Sequence, residues 1–178
     1  GFFGYVGGDV SNVAIGSNAS LVATSDTLVF DHVGMVAGYC GGSLSSCSNA
    51  ASVQVSSNAP QTKEALQMVS YVGGLSGVCA GSVTDCSNAG ALTVSSGTTP
   101  ATDLETSRLV QYVGGVVGMC GDETRVGTAD AAIDADASLH GSISGCLNTA
   151  QITVDTPSTS GVDRFGSTAY ARSEAVGG

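Results

Sequence analysis

Six cysteines, two histidines and a small group of aspartates are the residues of this chain whose types could do chemistry. The cysteines fall as Cys40 and Cys47, Cys79 and Cys86, and Cys120 and Cys146. Six residues separate the members of each of the first two pairs. That spacing is not the Cys-x-x-Cys of a zinc or redox centre, and no histidine pattern accompanies it. The stretch CAGSVTDCSNAGALTV (Cys79 to Val94) has the same shape as CGGSLSSCSNAASVQV (Cys40 to Val55). Its second half returns in GSISGCLNTAQITV, from Gly141 to Val154. A constellation written three times points to architecture, because a catalytic one is normally needed once.

The remaining candidates are weaker. His32 stands where the other copies have Tyr71 and Tyr112, so it reads as a repeat position. His140 lies among serines, but no G-x-S-x-G elbow accompanies it, which argues against a Ser–His–Asp enzyme. Asp130, Asp134 and Asp136 offer carboxylate oxygens to a hard cation such as calcium. Their spacing lacks the glycine and terminal glutamate of an EF-hand loop, and a solvated acidic loop is the simpler reading. No paired carboxylates recur at a spacing that suggests glycoside cleavage. The expectation is therefore a non-enzymatic chain with no catalytic residue, cofactor or metal.

The elements that would position these residues follow from the repeat. Three copies open as HVGMVAGYCG from His32, YVGGLSGVCA from Tyr71 and YVGGVVGMCG from Tyr112. The last is interrupted by 19 residues, Asp122 to His140, before it resumes at Gly141. Removing that insertion restores the six-residue gap between Cys120 and Cys146, and this alignment selects three within-copy disulfides: Cys40–Cys47, Cys79–Cys86 and Cys120–Cys146. Buried free thiols acting as small hydrophobes are the alternative. Each short bridge would contribute about 2–3 kcal/mol by loop-closure entropy. In the degenerate first copy, aligning Gly4 with Gly38, Gly77 and Gly118 puts Val6 and Val13 at the two cysteine positions. A structural cross-link tolerates such a joint replacement and a metal site does not.

The copies divide the 178 residues into one array: 1–31 (degenerate), 32–70, 71–111 and 112–175 with the insertion 122–140, while 176–178 opens a further copy. A slice of a longer protein is expected. Within each copy, short Val- and Leu-rich runs alternate with Gly, Ser, Asn or Asp, which is strand-and-turn chemistry. Thr62 to Val69 is the best helix candidate. The fold expected is all-β, a parallel β-solenoid (β-helix) of about four repeats with disulfide-stapled turns; a β-sandwich is the alternative. Asn18, Asn49, Asn88 and Asn148 are expected to share one corner, since asparagine tolerates the left-handed conformation and bonds its own backbone. The same Asn18 heads the sequon Asn18-Ala19-Ser20, a glycosylation candidate.

The residues Val72, Gly73, Gly74, Leu75, Gly77, Val83, Cys86, Asn88, Gly90 and Val94 resemble the GLUG-type repeat of large surface and secreted proteins. The likeness weakens in the second copy, where Met35 replaces a glycine, and weakens further in the first. It implies a β-solenoid in an adhesin-like surface protein and brings no catalytic residues.

Bulk composition agrees with such a setting. The net charge is −10, which disfavours nucleic acid and anionic membrane as partners. No run of apolar residues is long enough for a membrane span. Aromatics are only 5% of residues and tryptophan is absent, so a core must be built from aliphatics and glycine. Even, regularly spaced cysteines suggest an oxidising, extracellular place, and the Ser/Thr-rich connectors suit O-glycans. The expected function is an extracellular structural or adhesive module of a stalk, filament or surface coat. Its partners would be copies of itself, neighbouring repeats, glycans or surface ligands. The alternative is a carbohydrate-binding or polysaccharide-processing β-solenoid, for which the aromatics are few. Ice binding would need a flat threonine array, and Thr93 with Thr153 does not make one.

Overall fold

Alternating tails such as Ser-Val-Gln-Val and Ala-Leu-Thr-Val must put one set of side chains inside and the other out, and a chain that repeats them can bury the inner set by stacking copies. A computed structural model of the chain shows this arrangement. It describes residues 1–26, 30–58, 67–96, 108–121, 141–155, 161–162, 168–169 and 171–176. The first coil contains β1 (Phe3–Val6), β2 (Val10–Ser11), β3 (Ala14–Ile15) and β4 (Ser20–Ser25). The second contains β5 (His32–Gly34), β6 (Ala37–Cys40), β7 (Leu44–Ser45), β8 (Ser48–Asn49) and β9 (Ser52–Ser57). The third repeats the set as β10 (Gln67–Gly73), β11 (Ser76–Cys79), β12 (Val83–Thr84), β13 (Ser87–Asn88) and β14 (Leu92–Ser96). The fourth repeats it as β15 (Arg108–Gly114), β16 (Val117–Cys120), β17 (Ile143–Ser144), β18 (Leu147–Asn148) and β19 (Ile152–Asp155). Two short antiparallel strands, β20 (Gly161–Val162) and β21 (Thr168–Ala169), precede β22 (Ala171–Val176).

Equivalent strands of successive coils pair in parallel and form five four-stranded sheets. The structure is thus the expected all-β parallel solenoid rather than a sandwich, whose sheets would be antiparallel. The gap of 34 to 41 residues between equivalent glycines is the length of one turn around the solenoid. Gln67 to Val69, the end of the helix candidate, opens β10; Thr62 to Leu66 lie outside the described residues.

The core is a set of vertical columns. Val10, Leu44, Val83 and Ile143 share one column, and Leu21, Val53, Leu92 and Ile152 share another. Val33, Val72 and Val113 line a third from the facing sheet. Each fully buried valine or leucine contributes roughly 1.5–3 kcal/mol relative to exposure. Aliphatic columns suit this fold because an in-register stack demands the same width at each level.

Glycine fixes how closely neighbouring sheets approach. A Cβ on Gly77 would lie 2.7 Å from the Tyr71 carbonyl oxygen and 2.7 Å from the Val33 nitrogen. The Val-Gly-Gly-x-x-Gly arc therefore brings β10 and β11 into backbone contact, closer than any side chain allows.

Candidate functional site

Because the stacking is in register, whatever residue a repeat places at one position becomes a ladder along the solenoid. Three such ladders hold the chemistry-bearing residues.

The first ladder is of asparagine. Asn49 Nδ2 donates to Asn88 Oδ1 at 2.9 Å, and Asn88 Nδ2 donates to Asn148 Oδ1 at 3.0 Å. The same amides also donate to the carbonyl two residues on: Ala51 at 2.9 Å, Gly90 at 3.0 Å and Ala150 at 3.1 Å. The Asn49 and Asn88 oxygens accept from the backbone amides of Ala51 and Gly90. Asn49 and Asn88 are buried, and these bonds satisfy groups that would otherwise be costly inside. Gly74 and Gly115 make room for the ladder, since a Cβ on either would strike the Asn88 or Asn148 side chain.

Asn18 does not belong to this ladder. The register pairs Ile15 with Asn49, so a buried isoleucine ends the column in the first coil. Asn18 lies instead in an exposed turn, closed by the Ala19 amide on the Gly16 carbonyl at 3.2 Å. The first coil takes five residues to pass from Ile15 to Ser20 where the second takes three from Asn49 to Ser52. Those extra residues displace Asn18 from the corner that its sequence environment suggested.

The second set is of cysteine. Cys40, Cys79 and Cys120 occupy one rung position, with Val6 completing the column. Cys47, Cys86 and Cys146 form another, which Val13 meets in the first coil. The three within-coil bridges expected from the spacing are not formed: all six cysteines are free thiols. The physical reason is the columnar packing, which hands five of the six thiols to a carbonyl of the coil before them. Cys40 Sγ reaches Gly8 O at 3.6 Å, Cys79 reaches Gly42 O at 3.3 Å, and Cys120 reaches Gly81 O at 3.3 Å. In the second column Cys47 reaches Val10 O at 3.8 Å and Cys146 reaches Val83 O at 3.5 Å. Cys86 Sγ accepts from the Cys47 amide at 3.5 Å. The hydrogen bond from Cys79 draws the Cys40 thiol down to about 7, and the same bond holds the Cys79 thiol up. Burial pushes Cys86 and Cys120 up to about 11. Cys79, Cys86 and Cys120 are thus packing thiols biased toward the protonated form.

A third ladder is aromatic. His32, Tyr71 and Tyr112 are Cα partners along one sheet, with ring centroids 5.5 and 5.1 Å apart and nearly parallel planes. An edge contact of 5.8 Å from His32 to Tyr39 joins it to a second stack, Tyr39 on Tyr5 at 5.4 Å. The stacked rings cover one another's faces, so Tyr71 in the middle of its stack is buried, while Tyr5 at the end of the other is exposed. The shared position of His32, Tyr71 and Tyr112 was the sequence signal for this stack.

One corner carried no such signal. Asn12, Ser46, Asp85 and Gly145 all have positive φ, from 51° to 63°. Each stands immediately before the second cysteine position of its coil. Four different residue types serve one backbone demand, so residue identity alone hid the corner.

Asp130, Asp134, Asp136 and His140 lie outside the described residues. Among the described residues no group of three or more His, Cys, Asp or Glu is placed to hold a metal ion. There is no helix long and apolar enough to cross a membrane among them either. At the far end of the fourth coil, Gly115 to Val117 and Ile143 to Asn148 line an open groove of roughly 210 Å³. No family model, curated protein or solved structure matches the chain.

Proposed function

We propose that this chain is an extracellular, non-enzymatic structural or adhesive module, one segment of a stalk, filament or surface coat. The observation that carries the reading is the use to which polar and reactive side chains are put. Asn49 and Asn88 spend their amides on the asparagine of the next coil and on their own backbone, thiols face carbonyls, and the tyrosine faces cover each other. Such groups hold a rod together and leave little to meet a substrate. The extracellular setting rests on composition and on the resemblance of the Val-Gly-Gly-x-x-Gly units to GLUG-type repeats, and not on bridges between the cysteines.

The purified chain tethered between two handles tests this reading. In single-molecule pulling, a structural rod yields stepwise, in increments of one coil, and resists before the first step. In parallel, a glycan array and a polysaccharide-cleavage screen should give no saturable binding and no turnover. Turnover of any polysaccharide would overturn the proposal in favour of the processing solenoid.

A further inference from the structure

The cysteines of the second and third coils meet across the boundary between those coils. Cys40 and Cys79 are Cα partners on the paired strands β6 and β11. Cys47 and Cys86 stand one residue before Ser48 and Ser87, which are partners on β8 and β13. Strands paired in this way run about 4.8 Å apart. That lies inside the Cα separation of roughly 4.4–6.8 Å that a disulfide spans.

The sulfurs themselves single out these two pairs. Cys40 Sγ and Cys79 Sγ converge on one carbonyl, Gly42 O, at 3.6 and 3.3 Å. The Cys79 thiol also donates to the Cys40 sulfur. In the other column the Cys86 thiol donates to the Cys47 sulfur, and the Cys47 amide donates to Cys86 Sγ at 3.5 Å. The next boundary is different. Cys79 and Cys120 approach Gly81 O at 3.9 and 3.3 Å, but no thiol–thiol hydrogen bond joins them. Cys86 and Cys146 have none either.

We propose that oxidation joins Cys40 to Cys79 and Cys47 to Cys86, two disulfides that run between coils instead of within them, and leaves Cys120 and Cys146 as thiols. The oxidant is a low-molecular-weight disulfide. In the first column the Cys40 thiolate attacks one of its sulfurs; a mixed disulfide forms and one small thiolate leaves. The Cys79 sulfur then attacks Cys40 Sγ, the bond between the two column sulfurs forms, and the second small thiolate leaves. The two protons given up by the protein thiols go to the two small thiolates, so one oxidant disulfide is reduced for each bridge made. Cys40 suits the first attack, because the hydrogen bond from Cys79 holds its thiol at about 7, below the ordinary 9.0.

Cys40 and Cys79 are 0% exposed, and Cys47 and Cys86 are 1% exposed. Exchange therefore takes place while the third coil winds onto the second, and the wound coils then shield both bridges from reductant. Each bridge closes a loop of one full turn of the solenoid, longer than the loop within a coil, and loop-closure entropy favours the longer cross-link. Two bridges on one boundary clamp the second and third coils as a single unit. The pairing rests on the cysteine columns and stands apart from the structural-module reading.

Peptide mapping of the full chain tests it. The reduced, denatured chain is refolded in a mixture of reduced and oxidised glutathione, alkylated with N-ethylmaleimide, and cut by trypsin without reductant. Cleavage after Lys63 and Arg108 puts Cys40 and Cys47 on one peptide and Cys79 and Cys86 on the next, and cleavage after Arg125 separates Cys120 from Cys146. The first two peptides should be found joined, lighter than their sum by two hydrogens per bridge, with Cys120 and Cys146 alkylated. Separate peptides with internal bridges, a link to Cys120 or Cys146, or six alkylated cysteines in a chain with native circular dichroism would each overturn the pairing. Cys79→Ala resolves the partners inside the joined peptides, and the apolar Val6 on the same column shows that such a residue fits there. In that variant Cys40 should be alkylated while Cys47 stays bridged to Cys86; a bridge from Cys40 to Cys86 would overturn the assignment. In single-molecule pulling the bridged chain should lose one coil-long step relative to the reduced chain, and equal step counts would contradict the clamp.

Discussion

Asn49 and Asn88, 39 positions apart in the chain, share a buried side-chain hydrogen bond of 2.9 Å. Through Asn88 the bond passes on to Asn148, so one amide column spans three coils. Asn88 is the only one of the three with both an asparagine before it and one after it. Replacing Asn88 by Ala leaves Asn49 Nδ2, Asn148 Oδ1 and the Gly90 backbone short of partners, and should cost about 2–4 kcal/mol. Asn18→Ala, on an exposed turn, should stay within about 0.5 kcal/mol. Urea unfolding of the two variants decides the matter, and equal losses would contradict the ladder assignment.

The glycines beside that column divide in the same way. A Cβ at Gly74 would be 2.2 Å from the Gly115 oxygen and 2.5 Å from Asn88 Cγ. Gly74→Ala should therefore cost several kcal/mol, on the order of other strained core insertions. Gly4→Ala should be close to neutral, because its Cβ meets open space. Comparable thermal midpoints for the two would count against the close packing of the arc.

Neighbouring rings of the aromatic stack are expected to be coupled, so that their substitutions are not additive. A double-mutant cycle on Tyr71 and Tyr112, each changed to Leu, should return a coupling of about 0.5–1.5 kcal/mol. The corresponding cycle on Tyr5 and Tyr112, which share no ring contact, should return none. Chemical denaturation supplies both.

Thiol chemistry should follow the columns. Cys120 and Cys146, half-buried in the fourth coil, should react with a maleimide in the folded chain before the four buried cysteines do. Mass spectrometry of a labelling time course reads the order. Alkaline stability gives a second view. Cys86 keeps its proton up to about 11 when folded, against an ordinary thiol value of 9.0. The unfolded chain thus ionises first as pH rises. The contribution is intact below about 9 and drains away between about 9 and 11, by roughly 1–2 kcal/mol after allowance for solvent screening. Cys86→Ala should remove that part of the pH dependence, and an unchanged profile would show the thiol is not held protonated.

Much of this was legible in the residues. The period, the parallel stacking, the equivalence of Val6 with Cys40 and of Val13 with Cys47, and the Asn49–Asn88–Asn148 column all follow from aligning the copies. Asn18 was misplaced because it was matched on its Ser-Asn-Ala surroundings, whereas the register that sets Val13 against Cys47 sets Ile15 against Asn49 and leaves Asn18 in the longer turn that follows. The cysteines were paired along the chain because sequence proximity is all that a linear alignment offers.

What the sequence by itself determined is the repeat, and hence which residue types recur at which positions. An in-register stack then turns each recurrence into a column, with no further information needed. The tertiary structure decided what the columns do: whether neighbouring cysteines meet each other or a carbonyl, and which backbone corner turns left-handed. Those outcomes depend on distances between coils, and residues a full turn apart in the chain set them only once the coils are wound. The corner of Asn12, Ser46, Asp85 and Gly145 is the clearest case: four residue types share one left-handed backbone position, and only the wound coils bring them to the same place.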